Sequence, residues 1–114
     1  MPRSHPLPDE LVALIARRFR VLAEPTRIRL LDRLRTGEAT VQELTAAIGS
    51  TQQNVSKHLG VLTDAGIVDR RRHGNFVFYR VIDEGVFELC EHVCGSLERR
   101  SDDLRALLRD STTA

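Results

Sequence analysis

Residues Ser50–Gly66 read STQQNVSKHLGVLTDAG, and Ile67–Val81 behind them read IVDRRRHGNFVFYRV. Taken as a helix, the first stretch places Val55, Leu59, Leu62 and Ala65 at spacings of four, three and three, one face of a 3.6-residue repeat. Gln52, Gln53, Ser56, Lys57 and Asp64 fall off that face. An outer surface of amides and a cation, followed at once by Arg70, Arg71 and Arg72, suits base edges and phosphates. The stretch is therefore expected to be a DNA-recognition helix with a basic wing.

Length and composition narrow the alternatives. A chain of 114 residues fits one domain with a single core. With 41% apolar and 29% charged residues it has the balance of a soluble globular protein. Its apolar runs are far shorter than the ~20 residues a bilayer span needs, and MPRSHPLPDE has no signal-peptide core, so a cytoplasmic location without a membrane partner is expected. Cys90 and Cys94 are too few for a disulfide framework, and their i,i+4 spacing suits reduced thiols or metal ligands.

The net charge of +1 conceals a separation. Residues 50–80 carry five Lys or Arg against two acids, whereas residues 81–114 carry four against eight. The basic middle third, not the total, bears on the choice of partner, and a polyanion fits it. No Gly-rich phosphate loop and no Ser or Cys with a base in a shared motif is present, so an enzyme is not expected.

Along the chain, residues 1–8 hold three prolines and are expected to form a flexible arm. Residues 9–108 then form the domain. A helix is expected over Asp9–Ala23 and a second over Thr26–Leu34, with Pro25 at a first-turn position that proline tolerates. Thr40 and Glu43 have capping-box spacing, so a third helix should run from there to Ile48. Only Gly49, Ser50 and Thr51 separate it from the fourth, which is helix-turn-helix spacing. Ile67–Arg72 and Phe76–Ile82 flank His73-Gly74-Asn75 as a hairpin. A last helix is expected over Asp83–Leu108, leaving 109–114 as a flexible tail. The fold expected is mainly α with a small β-hairpin.

VLAEPTRIRLLDRL at 21–34 and VQELTAAIGSTQQNVSKHLGVLTDAGIVDRRRHGNFVFYRV at 41–81 together resemble the ArsR/SmtB family of winged helix-turn-helix transcriptional regulators. The segments that carry the resemblance are L-A-x-P-T-R-x-x-[IL]-L, VSxHLxxLxxAGxV and G-x-x-x-x-Y-R, in order and covering roughly residues 10–100. The resemblance implies a homodimer joined through its first and last helices, one recognition helix per protomer in the major groove of operator DNA, and repression relieved by an inducer, often a metal ion.

On the DNA side, Thr51, Gln52, Gln53 and Asn54 open the recognition helix, and the amides can read adenine edges. Ser56, Lys57 and His58 can reach phosphates or bases, although capping or contacts within the motif are an equal reading for Asn54 and His58. Arg70, Arg71, Arg72 and His73 supply the wing. Strand alternation lets at most two of the three arginines face DNA together, and Arg70 or Arg72 could instead pair with Asp69 or a glutamate.

The inducer side is less legible. Arsenite-type and lead- or cadmium-type members carry a Cys-x-Cys box in the third helix, where this chain has ELTAAIG. The positions of the family's zinc-type site fall on Asp83, Gly85, Ser96 and Arg99, of which only the first can be a ligand. The remaining candidates are His92, Cys90, Cys94, His5 and Glu88, a set that suits a divalent metal ion of the nickel or zinc class. Both cysteines also lie on the apolar face with Leu89, Val93 and Leu97, so buried small hydrophobes are the competing reading. The expected function is a metal-responsive repressor. A metal-independent regulator answering to redox or to an accessory partner protein, or a winged helix used only for protein contacts, is the alternative.

Overall fold

A computed structural model describes residues 3–112. Met1 and Pro2 of the expected arm, and Thr113 and Ala114 of the expected tail, lie outside the described residues. Contacts divide the chain into two compact units, residues 1–83 and 84–114.

In the first unit, residues 3–8 form no helix or strand. Helix α1, Asp9–Leu22, starts behind Pro8 with Asp9 and Glu10 in its first turn, where carboxylates favour the helix dipole. Helix α2, Pro25–Leu34, begins one residue earlier than expected because proline itself is the first helical residue. The Glu24 side chain caps it by accepting from the Arg27 N–H at 2.9 Å. Helix α3, Val41–Ile48, has the full capping box: Glu43 N–H donates to Thr40 Oγ1 at 3.2 Å, and Thr40 N–H donates to Glu43 Oε1 at 2.9 Å. It stops at Gly49, whose φ of 66° lies in the left-handed region that glycine adopts without a Cβ clash. Helix α4, Gln52–Asp64, then starts with the Thr51 hydroxyl accepting from the Asn54 N–H at 3.1 Å.

Ala39–Thr40 forms a short strand, β1, that the sequence reading did not anticipate. Two residues show no alternation to read, and their pairing partners lie far along the chain. With β2, Val68–His73, and β3, Phe76–Val81, it makes an antiparallel sheet of order β1-β3-β2. The expected two-stranded hairpin is thus part of a three-stranded sheet. His73 pairs with Phe76, which shortens the turn to Gly74-Asn75.

The core gathers one apolar face from each of α2, α3, α4 and the sheet. Leu30, Leu31 and Leu34 of α2, Leu44 of α3, Val55, Leu59 and Leu62 of α4, and Ala39, Ile67, Val68 and Tyr79 around the sheet are all buried. Each large side chain contributes about 1.5–3 kcal/mol by leaving water. Helix α1 adds no buried residue and keeps Val12, Leu14 and Phe19 about half exposed.

The second unit is one helix, α5, Gly85–Thr112. It starts two residues after the expected Asp83 and continues past Leu108 into the stretch expected as tail. Val86 is buried, while Val93 and Leu97 are exposed. Among the described residues no helix is long and apolar enough to cross a membrane.

Two caps tie stability to pH. Backbone N–H donation from Arg27 holds the Glu24 carboxyl below the ordinary glutamate range, and donation from Thr40 does the same to Glu43. For a depressed carboxyl the stabilisation is complete above the unfolded value and is lost as pH falls through the folded one. Thermal scans on a descending pH series should show stability falling below pH about 4. Glu43→Gln should make that decline shallower.

Candidate nucleic-acid interface

At about 100° per residue, Gln52, Gln53, Ser56, Lys57 and Gly60 of α4 fall within an arc of about 140°. All five are exposed. Val55, His58, Leu59 and Leu62 fill the opposite arc and are buried. The side chains of Gln52, Gln53, Ser56 and Lys57 have no partner among the described residues, so their donors and acceptors remain available.

Three expected contact residues are committed elsewhere. Thr51 caps the helix, and the half-buried Asn54 donates from Nδ2 to Ser50 Oγ at 2.9 Å. These two build the entrance of the helix, which supports capping for Asn54. Of the two readings of His58, its placement favours the contact within the motif over a contact to DNA. His58 is 6% exposed, on the core side of α4, with Nδ1 3.0 Å from Arg27 Nη1 and 3.7 Å from Glu24 Oε2. A side chain on the buried arc does not reach a duplex.

In the wing, strand alternation puts Arg71 on one face and Arg70 and Arg72 on the other. Arg71 is the paired one: its Nη2 donates to Glu38 Oε1 and Oε2 at 3.0 and 2.9 Å. Asp69 pairs with Arg80 at 3.8 Å and accepts from the Arg70 backbone N–H, not from its guanidinium. Arg70, Arg72 and His73 are exposed, and the two arginines carry no ion pair among the described residues.

A groove of about 260 Å³ runs between the start of α3, the start of α4 and the wing tip, lined by Thr40, Gln42, Gln52, Asn75 and Phe76. Gln42 and Asn75 were not singled out from the sequence. They become neighbours only because β1 pairs with β3 and draws the α3 entrance beside the wing. No local pattern announces that.

The metal candidates separate. Glu88, His92 and Cys94 are exposed, and Cys90 is half-buried. On one helix, residues two apart point about 200° away from each other, so His92 cannot share an ion with Cys90 or Cys94 of the same chain. They form two donor pairs, Glu88 with His92 and Cys90 with Cys94, and neither is a complete site. Among the described residues no group of three or more His, Cys, Asp or Glu converges for a metal ion. His5 in the exposed N-terminal segment joins none.

Short helices packed under a three-stranded sheet, with an outward amide face beside a basic hairpin, define a winged helix-turn-helix DNA-binding domain. A family profile described as a helix-turn-helix domain matches residues 22–71. Among relatives, the transcriptional regulator KmtR of Mycobacterium tuberculosis is 42% identical over 74% of this chain and 65% of its own length. The regulator Rv0081 of the same species is 37% identical over 90% of both chains. Its crystal structure superposes with a TM-score of 0.75 over 88% of this chain and 97% of that one. A homodimeric winged helix-turn-helix domain from Mycobacterium bovis, a possible ArsR-family regulator, is 28% identical with a TM-score of 0.73, covering 88% of this chain and 95% of that one. The antimony-specific transcriptional repressor AntR is 35% identical with a TM-score of 0.69, covering 89% and 91%. The chain belongs to the ArsR/SmtB family of winged helix-turn-helix transcriptional regulators, a family of DNA-binding proteins and not of enzymes.

Proposed function

We propose that this chain is a homodimeric, cytoplasmic repressor that reads operator DNA with Gln52, Gln53, Ser56 and Lys57 and grips phosphates with the two faces of its wing, Arg70 and Arg72 on one and Arg71 and His73 on the other. The observation that carries the reading is the exposed arc of α4, whose polar side chains have no partner among the described residues. Amides there can bind base edges in pairs, and Lys57 adds a phosphate contact. Thr51 and Asn54 hold the end of the helix that enters the groove first. The half-exposed Val12, Leu14 and Phe19 of α1, and Val93 and Leu97 of α5, are surfaces a second copy would cover, in keeping with the homodimeric relative. Two recognition helices about 34 Å apart would then enter successive major grooves.

The test is a fluorescence-anisotropy titration on the duplex the protein selects from a random pool, repeated across a salt series. Operator binding should weaken steeply with salt, and a flat response would overturn the DNA-binding reading. Arg71→Ala should weaken selected and random duplexes alike and lower the salt slope by about 0.9. Its exposed pairing with Glu38 is worth only about 0–1 kcal/mol, so a phosphate displaces the carboxylate readily.

For the effector, the reading is a metal ion of the nickel or zinc class, held by Glu88 and His92 and completed by donors of the second copy. The antimony-specific relative supports a metal or metalloid effector in general, and the accessible imidazole and carboxylate of His92 and Glu88 favour the nickel or zinc class. The exposed Cys94 and half-buried Cys90 favour, as the second reading, a metal-independent response through thiol oxidation. Operator titrations with Ni, Zn, Co, Cd and a chelator separate the two. A metal should release DNA from the wild type at concentrations at least about tenfold below those His92→Ala requires, a shift of roughly 1.4 kcal/mol. Equal metal affinity in both proteins removes His92 from the site.

A further inference from the structure

Arg27 and His58 belong to the P-T-R and VSxHL segments of the sequence, yet neither faces outward with the DNA-reading side chains. Arg27 lies in the first turn of α2 and is half-buried. Its Nε donates to the Val21 carbonyl at 2.6 Å, and its Nη2 reaches the Arg20 carbonyl at 3.5 Å. Both are carbonyls of the last turn of α1, where helix geometry leaves acceptors without partners. Its Nη1 lies 3.0 Å from His58 Nδ1, in the middle of α4. A guanidinium can only donate, so in this contact His58 Nδ1 is the accepting atom. Glu24 closes the cluster, accepting from the Arg27 backbone N–H at 2.9 Å with its carboxylate 3.7 Å from the same Nδ1. One side chain thus meets the end of α1, the start of α2 and the buried side of α4.

We propose that Arg27 and His58 are positioning residues: a hydrogen-bonded joint through which the end of α1 sets the orientation of the recognition helix, and with it the operator specificity of the domain. The proposal rests on the DNA-reading function of α4. Base readout needs side chains placed to within a fraction of an ångström, whereas non-specific phosphate attraction tolerates tilt. His58 lies on the same helix within about one and a half turns of Gln53, Ser56 and Lys57, so a change in the seating of the ring moves the reading arc as a body. The rigid fork of arginine is what the joint requires, because its donors reach α1 and α4 at once. A lysine keeps the charge but cannot serve both directions. Helix α1 also carries Val12, Leu14 and Phe19, so the joint connects the helix proposed to meet a second copy with the helix proposed to meet DNA.

The experiment measures affinity for the selected duplex and for a random duplex with Arg27→Lys, His58→Leu, His58→Asn and the Arg27→Lys/His58→Leu double variant, each checked by circular dichroism. Arg27→Lys and His58→Leu are each expected to fold and to lose about tenfold in affinity for the selected duplex. Their random-duplex affinity and salt slope should stay unchanged. The double variant should lose no more than either single one. His58→Asn, whose side-chain oxygen can take the place of Nδ1 as acceptor, should recover most of the loss. Selected-duplex affinity within twofold of wild type in folded Arg27→Lys, or additive losses in the double variant, would overturn the joint. So would loss of helical signal in both single variants, which would make the contact part of the core alone. A wild-type protein that selects no duplex would instead overturn the DNA reading.

Discussion

Leu59→Ala is expected to lower the unfolding free energy by about 2–5 kcal/mol, the cost of a cavity that a close-packed core refills only in part. Leu59 is fully buried on the core side of α4, in an interface that α2, α3 and β2 all share. Small domains are stable by about 5–15 kcal/mol in total, so the variant should melt well below the wild type. Operator affinity should fall with it, because the same side chain seats the DNA-reading helix. Urea unfolding followed by circular dichroism measures the loss. A change below about 1 kcal/mol would mean that the site collapses around the alanine and that α4 is less firmly seated than its burial indicates.

Gln53→Ala is expected to cost about 1–3 kcal/mol against the preferred duplex and to relax discrimination at one base-pair position, with little change in random-duplex binding. The side chain is exposed at the start of α4 and has no partner among the described residues, so its truncation should leave the melting temperature near that of the wild type. Competition titrations with single-base variants of the selected duplex separate base readout from phosphate contact. Unchanged preference at every position would take Gln53 out of the reading set. The contrast with Arg71→Ala, which should weaken all duplexes together, tests the division between α4 and the wing.

How much was legible from the chain varied with the range of the forces involved. Glu43 behind Thr40, Gly49, Thr51 and Gly66 act within a few residues, so the limits of α3 and α4 could be read to within one or two positions. The apolar face of α4 was equally plain, because Val55, Leu59 and Leu62 repeat at the helical period. His58 was not. It falls at the margin of that face, and its polar edge finds its partner in Arg27, whose guanidinium reaches it across 31 positions of sequence. The pairing of Arg71 with Glu38 was hidden for the same reason. So was β1, whose two residues acquire a role only against Phe78 and Tyr79.

On the effector side, the competing reading of Cys90 and Cys94 as core residues rather than metal ligands came from periodicity, yet periodicity says only which residues share a face. Cys94 is exposed, and Val93 and Leu97 beside it are half exposed, since one helix alone has nothing to bury them against. Local chemistry along the chain was enough to define a winged helix-turn-helix with an amide-rich reading helix, because caps, turns and amphipathic faces are short-range. Which polar side chains stay exposed, and which are spent on contacts within the domain, was settled by the packing of α2 against α4 and of β1 against β3. Those contacts join residues far apart in sequence, and no local pattern encodes them.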